Sequence, residues 1–284
     1  MSSITPPASA SGSVPLTAPE SVPGPVTSEG LGVAVDDVRA VEERAARAWP
    51  ETDHLMRDGW RLRYSTGVPN RRANSVLPIH PLVTDGLETV IDHVESFYGE
   101  RGLPSRFMVS PASLPENLDR VLEGRGYYIN APTDVQWAAA TDVELAADVR
   151  HEVRLSSEPD MDWMGVYMEG VSDSDEIEKK SDLIQRIGGE FVLARVTAEG
   201  QTVSVGLGVV DTGWTGIFCM HTLNTHRRCG YARSVLGAMT RWGQEKGGSK
   251  MYLQVERSNP GARTFYERAG FLTRYGYHYR TKDV

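Results

Sequence analysis

Shifting the C-terminal part of this 284-residue chain back by 144 positions lays like residues on like, without a gap, from Gly230 to Phe271. Gly230 falls on Gly86, Trp242 on Tyr98, Gly243 on Gly99, Ser249 on Ser105 and Lys250 on Arg106. Farther on, Met251 falls on Phe107, Leu253 on Val109, Gly270 on Gly126 and Phe271 on Tyr127. A sequence that matches itself at a fixed offset repeats a folding unit. The repeat predicts two similar halves.

The unit can be read from its C-terminal copy. An apolar strand at 217–220 runs into a loop holding Arg227, Arg228 and Gly230, and the loop runs into a helix. In that helix Ala232, Val235, Met239 and Trp242 recur at spacings of three and four, which gives it one apolar face. A glycine at a helix start lets several N–H groups converge on one anion, and the helix dipole and two arginines add positive charge there. This is the chemistry of a phosphate cradle. A strand at 250–255 follows, then Ser258-Asn259-Pro260 as a capped helix start, and a helix that carries Phe265 and Tyr266 and stops at Gly270. Earlier in this half the pattern predicts a strand at 151–155, helices at 161–169 and 174–187, and strands at 191–196 and 202–210. The N-terminal copy reads as a helix marked by Val38, Val41, Ala45 and Trp49, strands at 60–64 and 74–79, a helix at 87–98, a strand at 106–109, a helix at 115–123 and a strand at 133–137. An Ala- and acid-rich connector is expected at 141–148.

The mismatches locate the chemistry. Arg227 falls on Val83, Arg228 on Thr84, Ala232 on Glu88 and Tyr266 on Leu122, so the first copy lacks the arginines and the phenol and has a carboxylate near the cradle. A coenzyme site is expected only in the second copy, with a packing or substrate-shaping role for the first.

In Arg227, Gly230 and Ala232, followed by Asn259, Tyr266, Gly270 and Phe271, residues 149–284 resemble the GCN5-related N-acetyltransferases (GNAT family), which move an acetyl group from acetyl-coenzyme A to an amine. The tryptophan strand and the run from Arg71 to Pro78 make the whole chain resemble actinobacterial proteins in which a degenerate half precedes the acetyltransferase. The resemblance implies an α/β fold, a tandem of GNAT-like halves each with a mixed central sheet flanked by helices. It implies acetyl-CoA as co-substrate, held by Met220, Thr222, Arg227, Arg228, Cys229, Gly230, Tyr231, Ala232 and Asn259. It places Tyr266 as proton donor to the departing thiolate; the bare spacing by itself favours a core aromatic at Tyr266, and Phe265 beside it reads as core. For the base, relatives that acetylate protein N-termini often carry a Glu where this chain has Gln254, which leaves Glu256, His221 or a water relay. Cys229 reads as part of the cradle rather than as a nucleophile. Asp173, Asp175 and Glu176 either border a site for a cationic amine or are a helix start enriched in acids. The acceptor is an amine of a small molecule or protein; a longer acyl donor and a non-catalytic acetyl-CoA sensor are the rival readings.

Composition bounds the rest. A net charge of −8 argues against general nucleic-acid binding. Two cysteines, Cys219 and Cys229, imply no disulfide framework and fit a reducing cytoplasm. No apolar run of membrane-spanning length occurs, so no membrane partner is expected, and the scattered histidines suggest no metal site. Residues 1–33, rich in Ser, Pro, Ala, Thr and Gly, read as a disordered tail without the features of a signal peptide. The expected organisation is a tail at 1–33, a degenerate half at 34–140, a connector at 141–148 and a catalytic half at 149–284. Oligomeric state, monomer or homodimer, is left open.

Overall fold

The computed structural model describes residues 32–83 and 86–284, so the expected tail lies outside them but for its last two residues. Within the described residues the first half runs α1 (Val35–Ala48), β1 (Asp53–Arg57), β2 (Trp60–Tyr64), β3 (Val76–Leu77), α2 (Leu87–Gly99), β4 (Ser105–Val109), α3 (Leu118–Gly124) and β5 (Tyr128–Ala139). After α4 (Ala140–Ala146) come β6 (Arg154–Ser156), α5 (Met161–Tyr167), α6 (Ser174–Gln185), β7 (Glu190–Ala198), β8 (Gln201–Asp211) and β9 (Trp214–Thr222). The chain closes with α7 (Tyr231–Glu245), β10 (Lys250–Glu256), α8 (Pro260–Arg268) and β11 (Leu272–Lys282).

Five elements differ most from expectation. β1 is new: Asp58 and Gly59, at φ 48° and 92°, turn a two-residue hairpin into β2. Asp-Gly is the dipeptide such a turn favours, but β1 is too exposed to show an alternating pattern. β3 is only two residues long, because Asn74 is drawn into the preceding loop. Its side chain accepts from the Ser65 N–H and donates to the Val68 and Asn70 carbonyls. The connector at 141–148 is mostly the helix α4, whose Ala140 and Val143 are buried. β11 was not foreseen, β5 is longer than the strand expected at 133–137, and both are central.

The strands form one sheet in the order β1-β2-β3-β4-β11-β5-β10-β9-β8-β7-β6. β4 and β10 match under the 144-residue shift, and so do β5 and β11. The latter two change places. β5 pairs with β10, β11 pairs with β4, and the two pair antiparallel with each other. Their register contains Leu272↔Trp137 and Thr281↔Tyr128, each of which is the other shifted by 144. A local two-fold therefore runs between them.

Inverted charge clamps lock the exchange. Asp134 on β5 meets Arg257 at 2.7 Å and Arg263 of α8 at 3.1 Å. At the mirrored place Asp119 of α3 accepts from His278 and Arg280 of β11, both at 2.8 Å. Arg263 corresponds to Asp119, and Asp134 to His278: the acid lies on the strand in one clamp and on the helix in the other.

The apolar side chains form three buried clusters. One gathers α2 and α3 against Trp60, Val76 and Phe107. A second holds α4, α7 and α8 against β7, β9 and β10. The third joins Val38, Val41 and Ala45 of α1 to Trp163, Met164, Leu183 and Ile184 of α5 and α6. Through this last cluster, which also holds Leu77, Ile79 and Met108, α1 joins the core of the second half to that of the first.

Candidate active site

β10 runs parallel to β9 only from Lys250↔Trp214 to Leu253↔Ile217. Beyond that point β10 stays with β5, as far as Glu256↔Thr133, while β9 stays with β8. β9 also bulges: the pairing with β8 skips between Phe218 and His221, and Cys219 sits at φ 52°. A bulge puts one extra residue into a strand and bends it. The strands consequently splay apart, and a cavity of about 560 Å³ opens where the ladder stops.

Met220, Glu256, Asn259 and Tyr266 share the wall of this cavity. Asn259 is also the cap of α8, accepting from the Ala262 N–H at 3.0 Å. The Tyr266 ring packs on Phe265 and Phe271, while its hydroxyl has no hydrogen-bond partner among the described residues. Burial pushes the Tyr266 phenol well above its ordinary value, with a smaller push from Cys219, so it stays protonated at neutral pH. Burial likewise raises the Cys219 thiol to about 12, which keeps it from acting as a nucleophile.

β9 leads directly into the Arg-rich loop. Thr222 exchanges a hydrogen bond with Ser204 at 2.8 Å, and its carbonyl lies 3.4 Å from Arg227 Nε. Gly230 caps α7 at φ 87°, with Arg228 at φ 64° before it. An added Cβ at Gly230 would come no closer than 3.6 Å to His151, so the backbone angle rather than space calls for glycine. His151 Nε2 donates to the Cys229 carbonyl at 2.9 Å and stacks on Tyr231, which braces the loop from outside. α7 begins with no side-chain cap and no acid in its first turn, so the N–H groups at Tyr231 and Ala232 face no competing carboxylate there.

Other candidates lie elsewhere. His221 is not on the cavity wall; its Nε2 pairs with Glu169 at 2.9 Å and holds that carboxyl below its usual range. Asp173 caps α6, Asp175 pairs with Lys179 at 2.6 Å and Glu176 with Lys180 at 3.2 Å. None of the three lines the cavity.

The residues that sequence reasoning missed come mainly from the first half and from β11. Trp49, Arg71, Arg72, Tyr277 and Tyr279 all line the cavity. Arg71 forms an ion pair with Glu256, the only carboxylate among the lining residues. Behind Gln254 lies Glu42 of α1, which accepts from Gln254 at 3.3 Å and from Tyr275 at 2.7 Å. Its burial raises its pKa, against the pull of Tyr275 and of the nearby Arg72 and Arg63. Glu42 stands out in α1 as a carboxylate four residues after Val38 and three before Ala45, on the helix's apolar face. That misplacement was its signal in the sequence.

Known proteins share this fold. A Bacillus subtilis protein named as an uncharacterized N-acetyltransferase, YobR, is 26% identical over 251 residues, covering 87% of this chain and all of its own length. The solved structure of a GCN5-related N-acetyltransferase from Kribbella flavida superposes with a TM-score of 0.64 at 14% identity, covering 88% of this chain and 95% of that one. A tandem GNAT protein from the clavulanic acid biosynthesis pathway gives 0.61 at 11% identity, covering 91% and 97%. At such identities the two structures speak for the fold. The family described as "Probable histone acetyltransferase Rv0428c C-terminal" matches residues 35–280, which takes in both halves, and the chain belongs to that family of GNAT-fold proteins.

Proposed function

We propose that the protein transfers an acetyl group from acetyl-CoA to an amine, in the cavity between β9 and β10. The observation that carries this reading is the splayed strand pair, with the Arg227–Gly230 loop at the end of β9 and an unpartnered, protonated phenol on the facing wall. The uncapped start of α7, with Arg227 and Arg228, suits the phosphates of the coenzyme. The edge of β9 that β10 leaves unpaired, near Met220, offers backbone N–H groups to the arm and the thioester oxygen. In sequence the first half has Val83 and Thr84 where these arginines stand, so one coenzyme per chain is expected.

Acetyl-CoA supplies an acetyl group activated as a thioester. An acceptor must reach it as a neutral amine; its nitrogen bonds to the acetyl carbon as the carbon–sulfur bond breaks. Tyr266 gives its proton to the departing sulfur and is reprotonated from solvent. Glu256, held in place by Arg71, takes the proton that the amine loses, directly or through water. The products are an amide and free coenzyme A.

Two measurements test this. Calorimetry with coenzyme A should find one site per chain, and Gly230→Glu should abolish it while the protein still melts cooperatively. Thiol release from acetyl-CoA with a panel of amines should then show turnover. Binding without release from any amine would turn the reading toward a coenzyme sensor; undiminished binding by Gly230→Glu would remove the loop from it.

A further inference from the structure

Arg72 is the one arginine of the cavity wall without a counter-ion. It arrives on the loop between β2 and β3, where Asn74 ties the backbone to Ser65, Val68 and Asn70. Its guanidinium lies over the Phe218 ring at 5.6 Å, next to the bulge of β9. Neighbouring Arg71 is neutralised by Glu256, and the buried Arg63 is bonded to the carbonyl and hydroxyl of Ser75. Arg72 has no such acid, and the side-chain partner beside it, the Tyr277 hydroxyl, is neutral and brings no counter-charge. No carboxylate among the described residues lies within ion-pair distance of it, and its buried Nε has no hydrogen-bond partner.

A guanidinium cannot shed its proton, so it cannot escape burial by becoming neutral. The acid that acts on it is Glu42, which is bound to Tyr275 and Gln254 instead, and burial weakens that group's charge. A cation left in this state inside a cavity is costly unless a ligand brings the anion. Its planar fork suits a carboxylate in particular.

Resting on the acetyltransferase reading above, we propose that Arg72 anchors the acceptor, and that the acceptor is a small amine that also carries a carboxylate, as an amino acid does. The carboxylate pairs with Arg72, the amine points toward Met220 and Tyr266, and the remainder packs on Trp49, Tyr277 and Tyr279. A polycationic acceptor, such as an aminoglycoside or a basic peptide tail, is repelled by the same charge. The anchor comes from the half without a coenzyme loop, which gives that half a task in substrate choice.

The test uses matched probes on the coenzyme-A-saturated full chain: N-acetyl amino acids with aromatic, aliphatic and acidic side chains, each beside the N-acetyl amine that lacks the carboxylate. By calorimetry at least one carboxylate member should bind about tenfold or more tighter than its neutral counterpart, as expected for a charged hydrogen-bonded contact. Arg72→Gln should erase the difference and Arg72→Lys should keep part of it, with coenzyme A affinity and melting temperature near wild type. For any free amine that turns over, Arg72→Gln should raise KM for the carboxylate member at similar kcat. No carboxylate preference in any pair overturns the proposal, as does an Arg72→Gln variant that lowers kcat alike for both members, which would place Arg72 on the thioester oxygen. If Arg72→Gln does not fold, the wild-type pairs and Arg72→Lys decide. Absence of coenzyme A binding by the wild type overturns the acetyltransferase reading and this one together; binding without carboxylate preference overturns this one alone.

Discussion

Tyr266 separates structural from catalytic roles more sharply than any other side chain in the cavity. Its ring is core, packed on Phe265 and Phe271, but its hydroxyl bonds to nothing described. Tyr266→Phe therefore loses no hydrogen bond, and stability should change by less than about 1 kcal/mol in thermal or denaturant melts. Turnover should fall by roughly 10²- to 10⁴-fold, the usual worth of a positioned proton donor, with acetyl-CoA affinity unchanged. A variant within roughly threefold of wild-type turnover would return Tyr266 to the core and leave the proton to water. The motif positions Gly230, Asn259 and Tyr266 were legible because each has a local reason: an αL backbone, a helix cap, a helical spacing from the cap. Arg71 and Arg72 were not, because nothing local distinguishes two loop arginines until the loop is folded against β9.

At the scale of elements, the exchanged strands β5 and β11 depend on their clamps. Asp119 accepts three hydrogen bonds, from His278 Nε2 and from Arg280 Nε and Nη2. Although burial opposes it, these partners hold its carboxyl far below the usual carboxylate range. A depressed folded pKa contributes stability above the unfolded value, about 3.9, and loses it as pH falls toward the folded value. Asp119→Asn should therefore cost roughly 1–3 kcal/mol at neutral pH, judged from charged hydrogen bonds. The lower end is expected because the side chain keeps 34% exposure. Denaturant midpoints of wild type and variant, compared at pH 7 and again at about pH 2, well below the unfolded carboxylate value, should converge as the pH drops. A gap that is equal at both would mean the carboxylate's charge is not what the clamp uses.

At the scale of the whole molecule, neither half is self-sufficient in strands. The place beside β10 is filled by β5, and β11 lies one strand farther away, about 10 Å from β10 at the usual strand spacing. Expressed alone, residues 149–284 would leave that place empty and the Asp134 clamp broken. The fragment should show no cooperative melting, and adding the fragment that carries β5 should restore it; a soluble, cooperatively melting 149–284 would show that β11 can close on β10 by itself. By itself the sequence determined the repeat, the α/β pattern of both halves and the position of the Arg227–Gly230 loop at the start of a helix. All of these follow from periodicity, turn chemistry and an offset comparison, which act between near neighbours or between copies. Only the tertiary structure decided that the two last strands trade places, that α1 carries Glu42 behind Gln254, and that Arg72 faces the bulge of β9. Strand exchange leaves every local preference unchanged, because β5 and β11 are equally good strands in either position. The choice is made by contacts between residues more than a hundred positions apart, such as Asp119 with His278.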